Sequence, residues 1–308
     1  MPKNVIVIGG PTASGKSGLA IDLAQEQDGI IINADASQVY QGISIISAAP
    51  TLADKNKAEH RLYEYLDAGI NSNVFNWLGS AVAEIWDVWH KGKTPIVVGG
   101  SGLYIENLVK GTTPIPEVKP EIRQIVTDFV NQNGIQSLYD KLLSEDPAAA
   151  AMLHSNDSTR VRRAYEIFLS SGKSIAEWYE QPMLQKLPEA EFLIINILPP
   201  KAALDDRCNT RFRKMISDGA IEEVRALVAR NLSSDLPAMR AKGVPELASY
   251  IKNDISEEEA IALSQLHTRQ YAKRQLTWFR NKLNADLTLS DCYTGQKDFI
   301  NDVKKLYK

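Results

Sequence analysis

The sequence predicts an α/β fold: a parallel sheet flanked by helices and interrupted by an all-helical insertion. Three observations carry this. Short β-branched runs, Val5-Ile6-Val7-Ile8, Ile30-Ile31-Ile32 and Pro95-Ile96-Val97-Val98, alternate with helical periodicities, as strands buried on both faces do. From about residue 117 to 190 the strand signal disappears and only helical pattern remains. Strand character then returns over residues 192–198. The expected organisation is a discontinuous core, residues 1–112 with 191–308, and a helical insertion over residues 113–190.

The first strand runs into Gly10-Pro11-Thr12-Ala13-Ser14-Gly15-Lys16-Ser17, which fits the phosphate-binding pattern G-x-x-x-x-G-K-[ST]. Leu19, Ala20, Leu23 and Ala24 follow at helical spacing, so the loop sits between a strand and a helix. That context makes the core P-loop NTPase-like. Such a loop turns backbone N–H groups and a helix N-terminus toward phosphate, with Lys16 adding an ammonium. The Ser17 hydroxyl suits Mg²⁺. A nucleotide is the usual occupant, though the loop alone does not say whose phosphates it holds.

The next strand spans residues 30–34 and places Asp35 at its carboxyl end, where open parallel sheets bind ligands. Residues 43–60 read as irregular. Residues 81–90 form a helix with Trp86 and Trp89 at core spacing. The strand at 94–98 ends in Gly99-Gly100-Ser101-Gly102-Leu103-Tyr104, a second polar lip on the same crevice. Further helices are predicted over 205–215, 221–229 and 256–283. In the first of these, Arg207 and Arg211 share a face. In the last, Ala272, Leu276, Phe279 and Leu283 form an apolar stripe beside basic Arg269, Lys273 and Arg280.

Composition narrows the class. The 308 residues are 44% hydrophobic and 24% charged, an ordinary globular balance. The absence of an apolar run of spanning length predicts a chain outside the membrane. With strand character from the start and Cys208 and Cys292 far apart, a cytoplasmic protein is expected. His60, His90, His154 and His267 show no metal-ligand spacing. The net charge is −3, yet residues 265–284 carry five cations and no acid, and Arg160-Val161-Arg162-Arg163 is a second basic cluster. That asymmetry predicts an anionic partner. Two chemistries fit these parts. One is a kinase of a small anionic molecule, with ATP in the loop. The other places the diphosphate of an organic donor in the loop and a nucleic acid on the basic surface.

Several motifs in order resemble the bacterial tRNA isopentenyltransferase (tRNA dimethylallyltransferase) family. They are the loop with Asp35-Ala36-Ser37-Gln38-Val39-Tyr40, the glycine lip, Asn156-Asp157 with Arg160 to Glu166, Arg211-Phe212 with Glu223-Val224, and Thr268 to Arg280. The resemblance implies transfer of a dimethylallyl group from dimethylallyl diphosphate to the exocyclic amine of the adenosine just 3′ of a tRNA anticodon. By that resemblance Asp35 is the general base. Thr12 hydrogen-bonds the oxygen between allyl carbon and diphosphate, and Arg211 stabilises the diphosphate with residues 10–17 and Mg²⁺ at Ser17. It also implies tRNA contacts at Asp35, Ala36, Ser37, Gln38, Ser101, Arg123, Thr159, Arg160, Val161, Arg162, Arg163, Arg240, Lys242, Arg269, Lys273, Arg274 and Arg280. The protein is expected to work as a monomer. Val244-Pro245 departs from the family, which more often has Gly-Tyr after the basic residues there. An adenylate isopentenyltransferase, acting on free AMP, is the related alternative; the small-molecule kinase is the unrelated one.

Overall fold

The computed structural model describes residues 3–307. It divides into two compact units, one running to Val109 and resuming at Leu187, the other Lys110–Lys186.

The first unit is built on six parallel strands: β1 (Lys3–Gly9), β2 (Gly29–Asn33), β3 (Glu59–Arg61), β4 (Thr94–Gly99), β5 (Ala190–Ile197) and β6 (Leu287–Leu289). Their order is β3-β2-β4-β1-β5-β6. Gly9 pairs with Gly99 and with Asn196, and Asn33 pairs with Val98. The central strands therefore end at one level, and the loops that leave them line one crevice. Side chains alternate between two cores, as the pleat requires. Val5, Val7, Ile30 and Ile32 pack with Trp77, Ile85 and Phe279; Ile6, Ile8, Ile31 and Ile96 pack with Leu19, Leu23 and Val303. Burying each of these large side chains contributes roughly 1.5–3 kcal/mol.

The helices flank this sheet. Val74–His90 starts seven residues before its expected position, capped by the Asn73 side chain. Trp77 is fully buried and donates its indole N–H to Asn33 O at 2.7 Å, while Trp86 and Trp89 pack edge to face. Glu257–Lys282 is capped by Ser256 and Glu259 in a capping box, with acids in its first turn and Arg280 and Lys282 in its last. Its stripe of Ala272, Leu276, Phe279 and Leu283 is buried. Cys208 and Cys292 are free and buried.

Residues 43–60 differ from the expected irregular stretch. They hold two single-turn helices, Ser44–Ser47 and Leu52–Lys55, and the start of edge strand β3. That strand is Glu59-His60-Arg61, too short and too polar to carry a strand pattern. β6 and the helices Val244–Ile251 and Lys297–Leu306 also lie where no element is predicted.

The second unit is helical: Pro120–Glu145, Pro147–Ala151, Ser158–Ser171 and Ile175–Tyr179. Pro120–Glu145 kinks at Gly134, and Ser158–Ser171 stops at Gly172 in the left-handed conformation. Val126, Leu138, Leu142, Val161, Ala164 and Ile167 form its core. Among the described residues, no helix is long and apolar enough to cross a membrane.

Candidate active site

The loop leaves β1 and enters helix Lys16–Glu26 through Gly15, whose φ of 96° is the left-handed turn that aims successive N–H groups inward. A Cβ on Gly15 would lie 2.4 Å from Tyr293 O. Tyr293 seats the loop from outside: its N–H donates to Ser14 O at 2.9 Å and its hydroxyl to Asp22 at 2.6 Å. From the inside, helix Lys201–Ser217 contributes two arginines one turn apart. Arg207 Nε donates to Ala13 O at 2.7 Å, and Arg211 donates to the Thr12 hydroxyl. Lys16 Nζ donates to Pro11 O at 2.6 Å. Loss of water pushes the Lys16 ammonium down to about 8; Asp35 opposes this shift and Arg211 adds to it. Burial likewise lowers Arg211. Three cations facing one loop form a site short of negative charge.

Asp35 stands across the crevice. Buried Asn33 fixes the backbone there, accepting from Asp35 N at 2.8 Å and donating to Asp35 O and Leu62 O at 3.0 Å each. Ser37 binds one carboxylate oxygen of Asp35 through both its N–H and its hydroxyl, at 3.0 and 2.7 Å. The second oxygen has no hydrogen-bond partner among the described residues. Ser101 ties the glycine lip to this strand end, its Oγ accepting from Ala36 N at 2.9 Å. Gln38 donates to Ser47 O and Ala48 O at 3.0 and 2.8 Å, so its carbonyl is left as an acceptor. Glu223 in turn caps the Ser44–Ser47 turn through Ile45 N, Ile46 N and the Ser44 hydroxyl.

Loop and strand end enclose a cavity of about 550 Å³. Thr12, Ala13, Gly15, Lys16, Ser17, Asp35, Ser37, Gln38, Arg211 and Lys242 line it, with Ile46, Val98, Phe212 and Met215 as an apolar wall. Tyr63 and Tyr271 also line it; burial first, then Asp35, keeps both phenols protonated. Ser17 is exposed on this wall, a hard oxygen donor of the kind Mg²⁺ takes. Among the described residues, no three His, Cys, Asp or Glu side chains cluster to hold a metal.

The remaining candidates lie elsewhere. Arg269 donates to Asn209 at 2.6 Å, while Lys273, Arg274 and Arg280 are exposed along the long helix. Arg240 is exposed and paired with Asp235. In the helical unit Arg123, Thr159 and Arg160 are exposed, with Arg160 3.4 Å from Asp157. Arg162 and Arg163 are half-buried; burial lowers Arg163, against the pull of Glu166 at 3.9 Å. Val161 corrects an expectation. It is fully buried in the helical core, so its side chain is unavailable to tRNA.

Sequence reasoning missed Arg207, Tyr271 and Gln275. Gln275 Oε1 accepts from Thr12 N at 2.9 Å and its Nε2 donates to Gly100 O at 2.8 Å. The signal was a polar residue at core spacing, three residues after Ala272 and four before Phe279. Arg207 was visible as the partner of Arg211 at i, i+4 but was given no role.

The sheet, the loop and the facing carboxylate define a P-loop α/β protein whose cavity sets a cationic loop against Asp35. A family model described as IPP transferase matches residues 38–282, and the chain belongs to that family. A tRNA dimethylallyltransferase of Rhodopseudomonas palustris is 41% identical over 278 residues, covering 90% of this chain and 88% of the relative. One from Rhodospirillum centenum is also 41% identical, over 91% of this chain and 90% of its own length. Among solved structures, a tRNA isopentenylpyrophosphate transferase of Bacillus halodurans is similar with a TM-score of 0.71 and 31% identity, over 99% of this chain and 96% of that one. A eukaryotic dimethylallyltransferase acting on tRNA gives a TM-score of 0.83 at 26% identity, over 98% and 77%.

Proposed function

We propose that the protein transfers a dimethylallyl group from dimethylallyl diphosphate to the exocyclic amine of the adenosine 3′-adjacent to the anticodon in tRNA, releasing diphosphate. The observation that carries this is the opposition of a cationic loop and a carboxylate across one cavity with an apolar wall. A five-carbon alkyl group held beside the phosphates would pack against that wall.

The donor diphosphate occupies residues 10–17. Loop N–H groups, Lys16 and Arg211 stabilise its charge as the carbon–oxygen bond breaks. Thr12 donates its hydroxyl proton to the bridging oxygen. Ser17 would hold Mg²⁺, which would supply further neutralisation of the diphosphate charge. The acceptor amine is a weak nucleophile, and Asp35 takes its proton as the new bond forms. Ser37 and Gln38 line the acceptor side, with Ala36 and Ser101 bonded behind them.

The target adenosine leaves the anticodon-loop stack to reach the cavity, at a cost of a few kcal/mol. Arg123, Thr159, Arg160, Arg162 and Arg163 of the helical insertion, and Arg240, Lys242, Arg269, Lys273, Arg274 and Arg280 of the core, contact the tRNA. The reading places a monomer in the cytoplasm, where its tRNA substrate is.

Labelled dimethylallyl diphosphate, offered with unmodified tRNA, with AMP and with ATP in parallel, tests the assignment. Label enters tRNA alone. Label in AMP would make it an adenylate isopentenyltransferase, and phosphate transfer from ATP would make it a kinase.

A further inference from the structure

We propose that Gln275 is a positioning residue for the transfer step, fixing the spacing between the loop that holds the donor and the lip that faces the acceptor. The proposal rests on the alkyl-transfer reading above and assigns a role to a residue that does not line the cavity. Gln275 is 5% exposed and sits on the buried face of helix Glu257–Lys282, between Ala272 and Phe279. A buried amide is costly unless its polar atoms are satisfied. Here both ends are used, and on opposite walls of the crevice: Oε1 accepts from Thr12 N at 2.9 Å and Nε2 donates to Gly100 O at 2.8 Å. One partner is a donor and the other an acceptor, so the amide has one allowed orientation.

Two consequences follow for the site. The Thr12 N–H is committed to Gln275, so Thr12 serves the ligand through its hydroxyl, which already accepts from Arg211. On the other wall, Gly100 precedes Ser101, whose Oγ holds Ala36 N beside Asp35. A Cβ on Gly100 would lie 3.4 Å from the free Asp35 oxygen, so the lip and the base are in direct apposition. A continuous path of hydrogen bonds and backbone thus runs from Thr12 through Gln275, Gly100 and Ser101 to Asp35. In-line alkyl transfer needs amine, carbon and leaving oxygen at a fixed spacing, and a misplacement of about 1 Å costs on the order of 100-fold in rate.

The test uses Gln275→Met, Gln275→Glu and Gly100→Ala, with single-turnover transfer and the affinities for donor and tRNA measured on each. Wild-type enzyme is the control. If it alkylates no tRNA, the functional reading fails, which is a separate outcome from failure of this proposal. In Gln275→Met both contacts are lost, and transfer slows about 100-fold while both affinities stay within about threefold. Gln275→Glu keeps the acceptor for Thr12 N but loses the donor to Gly100 O while ionised. Burial raises such a carboxyl pKa, so lowering the pH restores the donor. The ratio of its rate to wild type therefore climbs toward one as pH falls.

Gly100→Ala reads the same contact without altering Gln275, because the added Cβ would come 2.3 Å from Nε2 and push the amide away. It shares the rate defect of Gln275→Met, and it serves if the Gln275 variants fail to fold. A rate ratio for Gln275→Glu that is flat with pH, losses of rate matched by equal losses of affinity, or a wild-type rate in Gly100→Ala would each overturn the proposal.

Discussion

Arg211 donates to the hydroxyl of Thr12, across 199 residues of sequence. The contact fixes what Thr12 can do. Its oxygen is engaged by a cation, which leaves its proton to donate, and no described residue accepts it. A hydroxyl polarised in this way and aimed into the cavity suits an oxygen that gains negative charge. Thr12→Ala should slow transfer by about 100-fold or more, the cost of removing one such donor. The tRNA affinity should be unchanged and Thr12→Ser should recover most of the rate. Single-turnover rates beside equilibrium tRNA binding check this; equal loss of both would contradict it.

Asp35 keeps one carboxylate oxygen for Ser37 and offers the other. Asp35→Asn preserves the acceptor for Ser37 and removes the proposed base. Transfer should fall by roughly 10²–10⁴-fold with donor affinity retained. A rate measured under saturating donor and tRNA decides it. A loss below tenfold would reassign the proton acceptor.

Asn33 carries a stability prediction. It is fully buried and holds Asp35 N, Asp35 O and Leu62 O. Asn33→Ala leaves these groups unpaired, at about 1–3 kcal/mol for each that water does not reach. Urea unfolding should show the loss, and transfer at temperatures below the transition should also drop as Asp35 shifts.

Lys16 sets a pH dependence. Its pKa in the free protein is pushed down to about 8 from 10.5 by burial. Between pH 8 and 10.5 the folded state then binds fewer protons than the unfolded chain, so this group makes stability rise with pH across that window; below it both states are protonated. Diphosphate requires the ammonium, so donor binding should take up a proton and weaken about tenfold per pH unit above 8. Calorimetry in two buffers of different ionisation enthalpy measures the proton. Its persistence in Lys16→Met would contradict the assignment.

The exposed cations of helix Glu257–Lys282 predict the salt response. tRNA affinity should fall steeply with added salt, and Lys273→Ala, Arg274→Ala and Arg280→Ala should each lower the slope by about one. Filter binding over a salt series checks this, and a flat dependence would remove the helix from the interface.

The core of the site was legible because each part has a local cause. The loop motif, the strand end at Asp35 and the glycine lip are set by residues adjacent in sequence, and parallel pairing brings them to one level. Arg211 was readable as one of two arginines a turn apart, but its bond to Thr12 depends on how the helix docks. Gln275 shows in the sequence only as a polar residue at core spacing; its bond to Thr12, like that of Tyr293 to Ser14, depends on tertiary packing. β3 was missed because Glu59-His60-Arg61 pairs on one side only, at the sheet edge. The resemblance carries Val161 into the tRNA surface along with its neighbouring arginines, whereas helical periodicity turns its side chain into the core.

The central claim is that the loop holds the diphosphate of an alkyl donor while Asp35 faces a tRNA adenosine. It is tested most directly by product stoichiometry in a single turnover on unmodified tRNA with limiting dimethylallyl diphosphate, followed by nucleoside mass spectrometry. Released diphosphate and N6-dimethylallyladenosine should appear in equal amounts, the latter at the single position 3′ of the anticodon. Diphosphate released without alkylated adenosine, or alkylation spread over other positions, would contradict it.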